Sequence, residues 1–279
     1  MPRHPEPPAL VQAGVSSTDR ADAQAERVNA AGRVPVVFLH GLWLLPASWE
    51  RWAAVFGEAG FEAVFPGWPE DPPPVPWTVG QVAGHVAALI GRLERRPVVV
   101  GHSFGGLLAQ ILAGNGLAAA TVAIGPAPGC GVLPLPVSPL HATARPGDAG
   151  WAVPLTYDQF RHSFANAVGE EEARWLHERF AVPAPGVPQP RAAALDPWND
   201  LQVDTTAPAR GPLLMISGEL DRTAPWALTR AAFERQSRNA HHRTEIAEIP
   251  GRGHSLIVDS GWREVCGTAL TFIERFVCP

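Results

Sequence analysis

The chain has 279 residues, a formal net charge of -5 and a pI near 6.1, with 22 basic residues that are all arginine. That balance, without a long basic run, argues against a nucleic-acid or anionic-membrane partner, and the absence of lysine excludes a Schiff-base lysine and a Walker A lysine. Three cysteines, Cys130, Cys266 and Cys278, show no C-x-x-C spacing, so neither a disulfide framework nor a zinc site is expected.

Residues 1–32 mix Pro, Ala, Gln, Asp and Arg without the apolar core of a signal peptide, and are expected to form a flexible N-terminal tail of a cytoplasmic protein. From Val34 short apolar runs alternate with helical patterns. Val34 to Leu39 reads as a buried strand, and Ser48 to Ala59 as a helix with Trp49, Trp52, Ala53 and Phe56 on one face. Phe61 to Phe65 reads as a second strand. A Pro-rich loop, Pro66 to Pro76, leads to a helix carrying Val82, Val86, Ile90 and Leu93 at spacings of three and four. Val98 to Val100, the helical run Leu107, Leu108, Ile111 and Leu112, and the strand Ala119 to Ile124 follow. Strand, helix and strand repeated in this way imply a parallel sheet.

The rhythm breaks after Ile124 and resumes at Leu213. Between them, two stripes, Tyr157, Phe160, Phe164 and Val168, then Ala173, Leu176 and Phe180, suggest helices of an inserted lid over residues 127–208. Strand Leu213 to Ile216, helix Pro225 to Arg235, strand Thr244 to Ile249 and helix Gly261 to Phe276 complete the pattern. The expected division is therefore a core of 33–126 and 209–279 interrupted by that insertion.

The chemistry centres on Gly101-His102-Ser103-Phe104-Gly105, set between a buried strand and a helix. Small residues on both sides of a serine at a sharp strand-to-helix turn form a nucleophile elbow, with Gly101 and Gly105 where a Cβ would collide with neighbouring backbone. An alcohol needs a general base, and the base needs a group to hold its tautomer. Of ten histidines, His254 in Gly251-Arg252-Gly253-His254-Ser255 lies in a loop after a strand and before the last helix. His102, though adjacent to the serine, is expected to point away from it. Asp221, in the loop after strand Leu213 to Ile216, is the candidate acid, with Glu219 as its rival in the same loop. In a parallel sheet all three loops leave at the carboxyl edge. Backbone N–H groups of Phe104 and of Leu42, in His40-Gly41-Leu42-Trp43, are candidates to hold an oxyanion, with Trp43 as the alternative second donor.

Taken together, Val37-Phe38-Leu39-His40-Gly41, Gly101-His102-Ser103-Phe104-Gly105-Gly106, Gly218-Glu219-Leu220-Asp221 and Gly253-His254 resemble the α/β-hydrolase superfamily, in its lid-bearing esterase and cofactor-free haloperoxidase-like branch. The similarity spans about residues 34–276. It implies an α/β-hydrolase fold with a mainly parallel sheet of about six strands, since residues 1–33 hold no counterpart to the antiparallel pair that often opens the fold. It implies a serine hydrolase that cleaves a carboxylic ester through an acyl-enzyme on Ser103, without cofactor or metal. Trp43, Tyr157, Phe160, Phe164 and Trp226 are expected to wall a pocket for a small hydrophobic ester. Two other readings of the same residues stay open: a lyase, C–C hydrolase or tailoring enzyme with His254 as base, and a slow or inactive ligand receptor. The oligomeric state is not legible.

Overall fold

The computed structural model describes residues 17–69, 77–129, 155–181 and 202–279. Six strands, β1 (Val34–Leu39), β2 (Phe61–Val64), β3 (Val98–His102), β4 (Ala120–Ile124), β5 (Leu213–Gly218) and β6 (Thr244–Ile249), form one sheet in the order β2-β1-β3-β4-β5-β6. Every pairing is parallel. Strands β1, β3, β4 and β5 are buried along their whole length, as continuous β-branched and aliphatic runs require when helices cover both faces.

Alternation along each strand sends successive side chains to opposite layers. Val36, Phe38, Val98, Val100, Val122 and Ile124 join one core, with Trp52 and Phe56 of α2 (Glu50–Glu58). Val37, Leu39 and Val99 join the other, with α3 (Val79–Ile90) and α4 (Phe104–Gly114). Helix α3 starts at a capping box in which Thr78 and Gln81 satisfy each other's backbone N–H groups. Two short helices, α5 (Tyr157–Ser163) and α6 (Glu170–Phe180), belong to the segment between β4 and β5, and Phe160, Phe164, Ala173, Leu176 and Phe180 pack into the first core. Helices α7 (Trp226–Gln236) and α8 (Trp262–Glu274) follow β5 and β6 respectively. Most of the insertion expected over 127–208, namely 130–154 and 182–201, and part of the Pro-rich loop lie outside the described residues.

One expectation is corrected. The flexible tail assigned to residues 1–32 does not extend to 32, because Ser17–Ala31 is a helix, α1. Ala25 and Val28 are buried, and Ala21 packs against the same core. Its apolar stripe is small, mostly alanine, which is why the pattern did not stand out from a polar segment. Asn29 pins the helix to the turn after α3, donating to the Arg92 carbonyl at 2.9 Å and accepting from Glu94 N–H at 3.0 Å.

A fully buried cation braces the sheet edge away from the elbow. Arg210 donates to the Gln236 carbonyl at 2.9 Å, the Gln236 side chain at 2.8 Å and Thr244 Oγ1 at 2.9 Å, tying the end of α7 to the start of β6. Burial pulls its pKa down to about 10, still far above neutral pH, so the guanidinium stays charged among neutral acceptors.

The start of α4 packs backbone against backbone on the end of β1. A Cβ on Gly105 would lie 2.1 Å from the Leu39 carbonyl oxygen, a backbone atom that cannot swing aside. Gly105→Ala is therefore expected to destabilise the fold by about 3 kcal/mol or more, read as a lowered urea midpoint at unchanged slope.

Candidate active site

At the carboxyl end of β3, Ser103 adopts φ 56° and ψ -118°, and it is the one non-glycine residue with positive φ among those described. That conformation is costly for a residue with a Cβ and persists because the surroundings over-determine it. Ser103 N–H donates to Ile124 O at 2.9 Å, while its own carbonyl accepts from Gly106 at 2.9 Å, Leu107 at 3.2 Å and Ala127 at 2.9 Å. A Cβ on Gly101 would stand 2.0 Å from Gly105 O, so the chain can double back only over a bare α-carbon.

Two distant loops close on the hydroxyl. His254 Nε2 lies 3.0 Å from Ser103 Oγ, and His254 Nδ1 lies 2.7 Å from Asp221 Oδ2. Both the imidazole and the carboxylate are shielded from water. Asp221 Oδ1 accepts from the backbone N–H groups of Thr223 at 2.8 Å and Ala224 at 2.7 Å, which leaves Oδ2 aimed at the ring. An ionised carboxylate can only accept, so His254 Nδ1 carries the proton and Nε2 presents its lone pair to the serine. Glu219 does not reach the ring; its carboxylate accepts from Gly251 N–H at 2.7 Å and steadies the base loop from behind. Gly125, with φ +47°, follows β4, and a Cβ there would sit 3.2 Å from both Asp221 Oδ2 and the His254 ring. A glycine at this turn leaves room for the pair.

The Gly41 loop lies against the serine: a Cβ on Gly41 would stand 3.2 Å from Ser103 Cβ. Leu42, next in that loop, and Phe104, first in α4, are buried. Among the described residues no acceptor takes up either N–H, as expected of Phe104 in a first helical turn, where donors have no intrahelical partner.

A cleft opens over Ser103, walled by Leu42, Trp43, Leu44, Leu155, Phe164 and Thr223. Of the five residues expected to line it, Trp43 and Phe164 do. Three do not border it as described, and this corrects the expectation for them. Phe160 is buried behind Phe164, ring centroids 4.8 Å apart. Tyr157 turns its hydroxyl to Glu170 at 2.8 Å and holds Arg174 over its ring at 4.7 Å. Trp226 occupies the first turn of α7, outside the wall. The helical stripe in the sequence marked one face of α5, and that face serves mainly the core. Leu155 and Thr223, which carry no motif, take the vacant places.

Polar ties fasten α5, α6 and their connection to the acid and base loops. Thr223 Oγ1 donates to Ser163 O at 2.8 Å, Asn166 Nδ2 donates to Leu220 O at 2.8 Å, and Ser260 Oγ donates to Glu172 at 3.1 Å. On the other flank, Trp52 Nε1 of α2 donates to Ile257 O at 3.1 Å, just beyond the base.

Two more imidazoles border the site, and sequence reasoning gave neither a role. His102 is buried, with Nε2 2.9 Å from the His254 carbonyl oxygen and its ring centroid 4.7 Å from that of His254. Residues 98, 100 and 102 share one face of β3, and the loop carrying His254 packs over that face, which brings the His102 ring against that of His254. His40 lies against Trp68, ring centroids 4.3 Å apart and tilted by 56°, and its Nδ1 lies 2.8 Å from Gly41 O. Burial lowers the pKa of His40 to about 4 and that of His102 well below the usual histidine range, so both are neutral at pH 7.

The sequence profile of the Alpha/beta hydrolase family matches residues 36–268. Among solved structures, a monoacylglycerol lipase of Paleococcus ferrophilus superposes with a TM-score of 0.64 at 18% identity, over 87% of this chain and 95% of the other. A methylesterase from Arabidopsis gives 0.61 at 14% identity, over 86% and 99%. A protein assigned as a non-heme bromoperoxidase of Mycobacterium tuberculosis gives 0.60 at 21% identity, over 87% and 91%. No curated protein sequence matches. At such identities the likeness establishes the shared fold.

The geometry separates the two carboxylates. Asp221→Asn should lower kcat about 10⁴-fold by stabilising the wrong tautomer of His254, whereas Glu219→Gln should stay within about tenfold of wild type; steady-state kinetics on a chromogenic ester reads both. The buried neutral rings also set an acid limit on stability. Between pH 6.5 and about 4 the unfolded chain binds a proton that folded His40 refuses, so stability is complete above that window and falls as pH drops through it. The thermal midpoint should fall between pH 7 and pH 5, and His40→Asn, whose amide can replace the Nδ1–H donor, should fall less.

Proposed function

Because the chain belongs to the α/β hydrolase family, we propose that it is a serine esterase that cleaves small hydrophobic carboxylic esters, or related acyl bonds, through an acyl-enzyme on Ser103. The unbroken hydrogen-bond chain from Ser103 through His254 to Asp221 carries this reading. His254 takes the hydroxyl proton as Ser103 Oγ attacks the carbonyl carbon, and Asp221 steadies the imidazolium that forms. The N–H groups of Leu42 and Phe104 receive the carbonyl oxygen as it gains charge, a contribution worth about 10² to 10³ in rate for each donor. His254 then returns the proton to the leaving alcohol. Water, deprotonated by the same imidazole, attacks the acyl carbon and releases the acid with Ser103 restored.

The apolar wall of Leu42, Trp43, Leu44, Leu155 and Phe164 favours an uncharged acyl or alcohol group, since a charge placed there would lose its hydration without a partner. In this reading α5 and α6 are part of a cap, fixed to the acid and base loops on the side that the described residues cover. The neutral state of His40 and His102 fits the same chemistry. A fixed positive charge beside His254 would oppose the imidazolium that the first step creates.

Ser103→Ala should remove about 10⁶ in kcat while leaving the thermal midpoint at or above that of wild type, because the nucleophile is lost without a packing change. On a panel of p-nitrophenyl esters, kcat/KM should be higher for butyrate than for a succinate half-ester of similar length. Better turnover of the charged ester would overturn the substrate assignment, and cleavage of cyanohydrins but not of esters would replace hydrolysis with lyase chemistry.

A further inference from the structure

The hydrolytic cycle uses one imidazole, yet a second lies against it. His102 is the residue before the nucleophile, at the end of β3, and it reaches across to the loop that carries the base. Its Nε2 lies 2.9 Å from the backbone oxygen of His254. A carbonyl only accepts, so the proton sits on Nε2 and the ring donates. The two rings are 4.7 Å apart and tilted by 43°, and Phe164 stands nearly perpendicular to both, 6.1 Å from His102 and 5.6 Å from His254. His102 Nδ1, buried and without a hydrogen-bond partner, faces the Gly41 side, where a Cβ on that glycine would stand 3.5 Å away.

We propose that His102 is a positioning residue for the base, holding the His254 backbone at a fixed distance from Ser103 through its Nε2–H bond and its ring contact; this rests on the roles given above to Ser103, His254 and Asp221. Asp221 fixes the far edge of the His254 ring, but the base loop joins β6 to α8 and has no strand pairing of its own at this point. Other bonds hold the loop on either side, at Gly251 and Ile257, and the bond from His102 adds a tether at residue 254 itself. It starts one residue from the nucleophile, on a strand paired on both sides, so any shift of the base is referred to the same rigid segment that sets Ser103. The donor must also be uncharged, because the neighbouring ring becomes a cation in each half of the cycle. An imidazole held neutral by burial meets that condition, and arginine or lysine does not. Small displacements of a general base lower the rate of proton transfer steeply without altering how the ester is held.

The test compares His102→Met, which keeps bulk and loses the donor, with His102→Gln, whose amide N–H can reach the same carbonyl. Ser103→Ala and His254→Ala serve as references. Kinetics on p-nitrophenyl butyrate and the rate of labelling by a fluorophosphonate are measured at a temperature where each variant is folded by near-ultraviolet circular dichroism. His102→Met should lose about 100-fold in kcat and in labelling rate with KM within about twofold, and His102→Gln should recover to within about tenfold of wild type. If His102→Met does not fold, His102→Asn, whose amide stops short of the carbonyl, takes its place under the same criteria. A folded donor-less variant with wild-type kcat would overturn the proposal, as would a folded His102→Gln no faster than the donor-less one. Should Ser103→Ala and His254→Ala keep full turnover, the assignment of nucleophile and base falls and the role of His102 falls with it; if both are inactive while the donor-less variant is not, only the role of His102 is lost.

Discussion

The site depends on backbone packed against backbone where β1, β3 and α4 meet. The carbonyls of Leu39 and Gly105 occupy space that side chains would fill at Gly105 and Gly101, and Ser103 is held at a positive φ between them. No side-chain contact could enforce this geometry so firmly, because rotamers yield and peptide groups do not. From that fixed point the Gly41 loop follows at the end of β1, the first turn of α4 presents its unpaired N–H group, and the serine hydroxyl stands clear of the sheet. The strain at one residue is the local cost of an alcohol exposed on an otherwise buried strand end.

Around the elbow the other loops are fastened to one another more than to the sheet. Asp221 is turned by two amides of its own loop, Glu219 braces Gly251, the end of α5 takes a hydrogen bond from Thr223, and the segment after it gives one to Leu220. Acid loop, base loop and helical pair therefore form one cross-linked rim. Such a rim keeps the imidazole ordered although its loop lacks pairing, and it joins the apolar wall of the cleft to the Ser103–His254–Asp221 chain of hydrogen bonds. Phe164 belongs to both: it lines the cleft and packs against His254.

Much of this was legible from residue patterns. The central strands stood out because full burial on two faces demands uninterrupted apolar runs, and β1 begins and ends where its run does; the edge strand β6, with two glutamates, still keeps the bounds Thr244–Ile249. The elbow glycines could be assigned a steric task from chain geometry alone, and the chain order of serine, acid and histidine pointed to loops that the structure brings within hydrogen-bond distance. The choice between Asp221 and Glu219 needed coordinates, since both sit in one turn and only the fold decides which faces the ring. The helix at Ser17–Ala31 was hidden by the smallness of its buried stripe. The aromatic stripe of α5 misled for the opposite reason: large rings at helical spacing signal burial, and burial in a core and exposure to a cleft leave the same pattern. That adjacent side chains point apart at the elbow says nothing of what covers the face of His102; counting by twos along β3 places it on the side over which the loop carrying His254 packs.

The imidazole at Ser103 lies beyond β6, the last of the described strands along the chain, 151 residues after that serine. During synthesis the elbow, its glycines and the Gly41 loop are therefore made well before the ring that faces the hydroxyl. On the proposed mechanism a polypeptide that stops short of β6 holds the alcohol without its general base. Turnover would then report that β6 and the loop after it have joined the sheet.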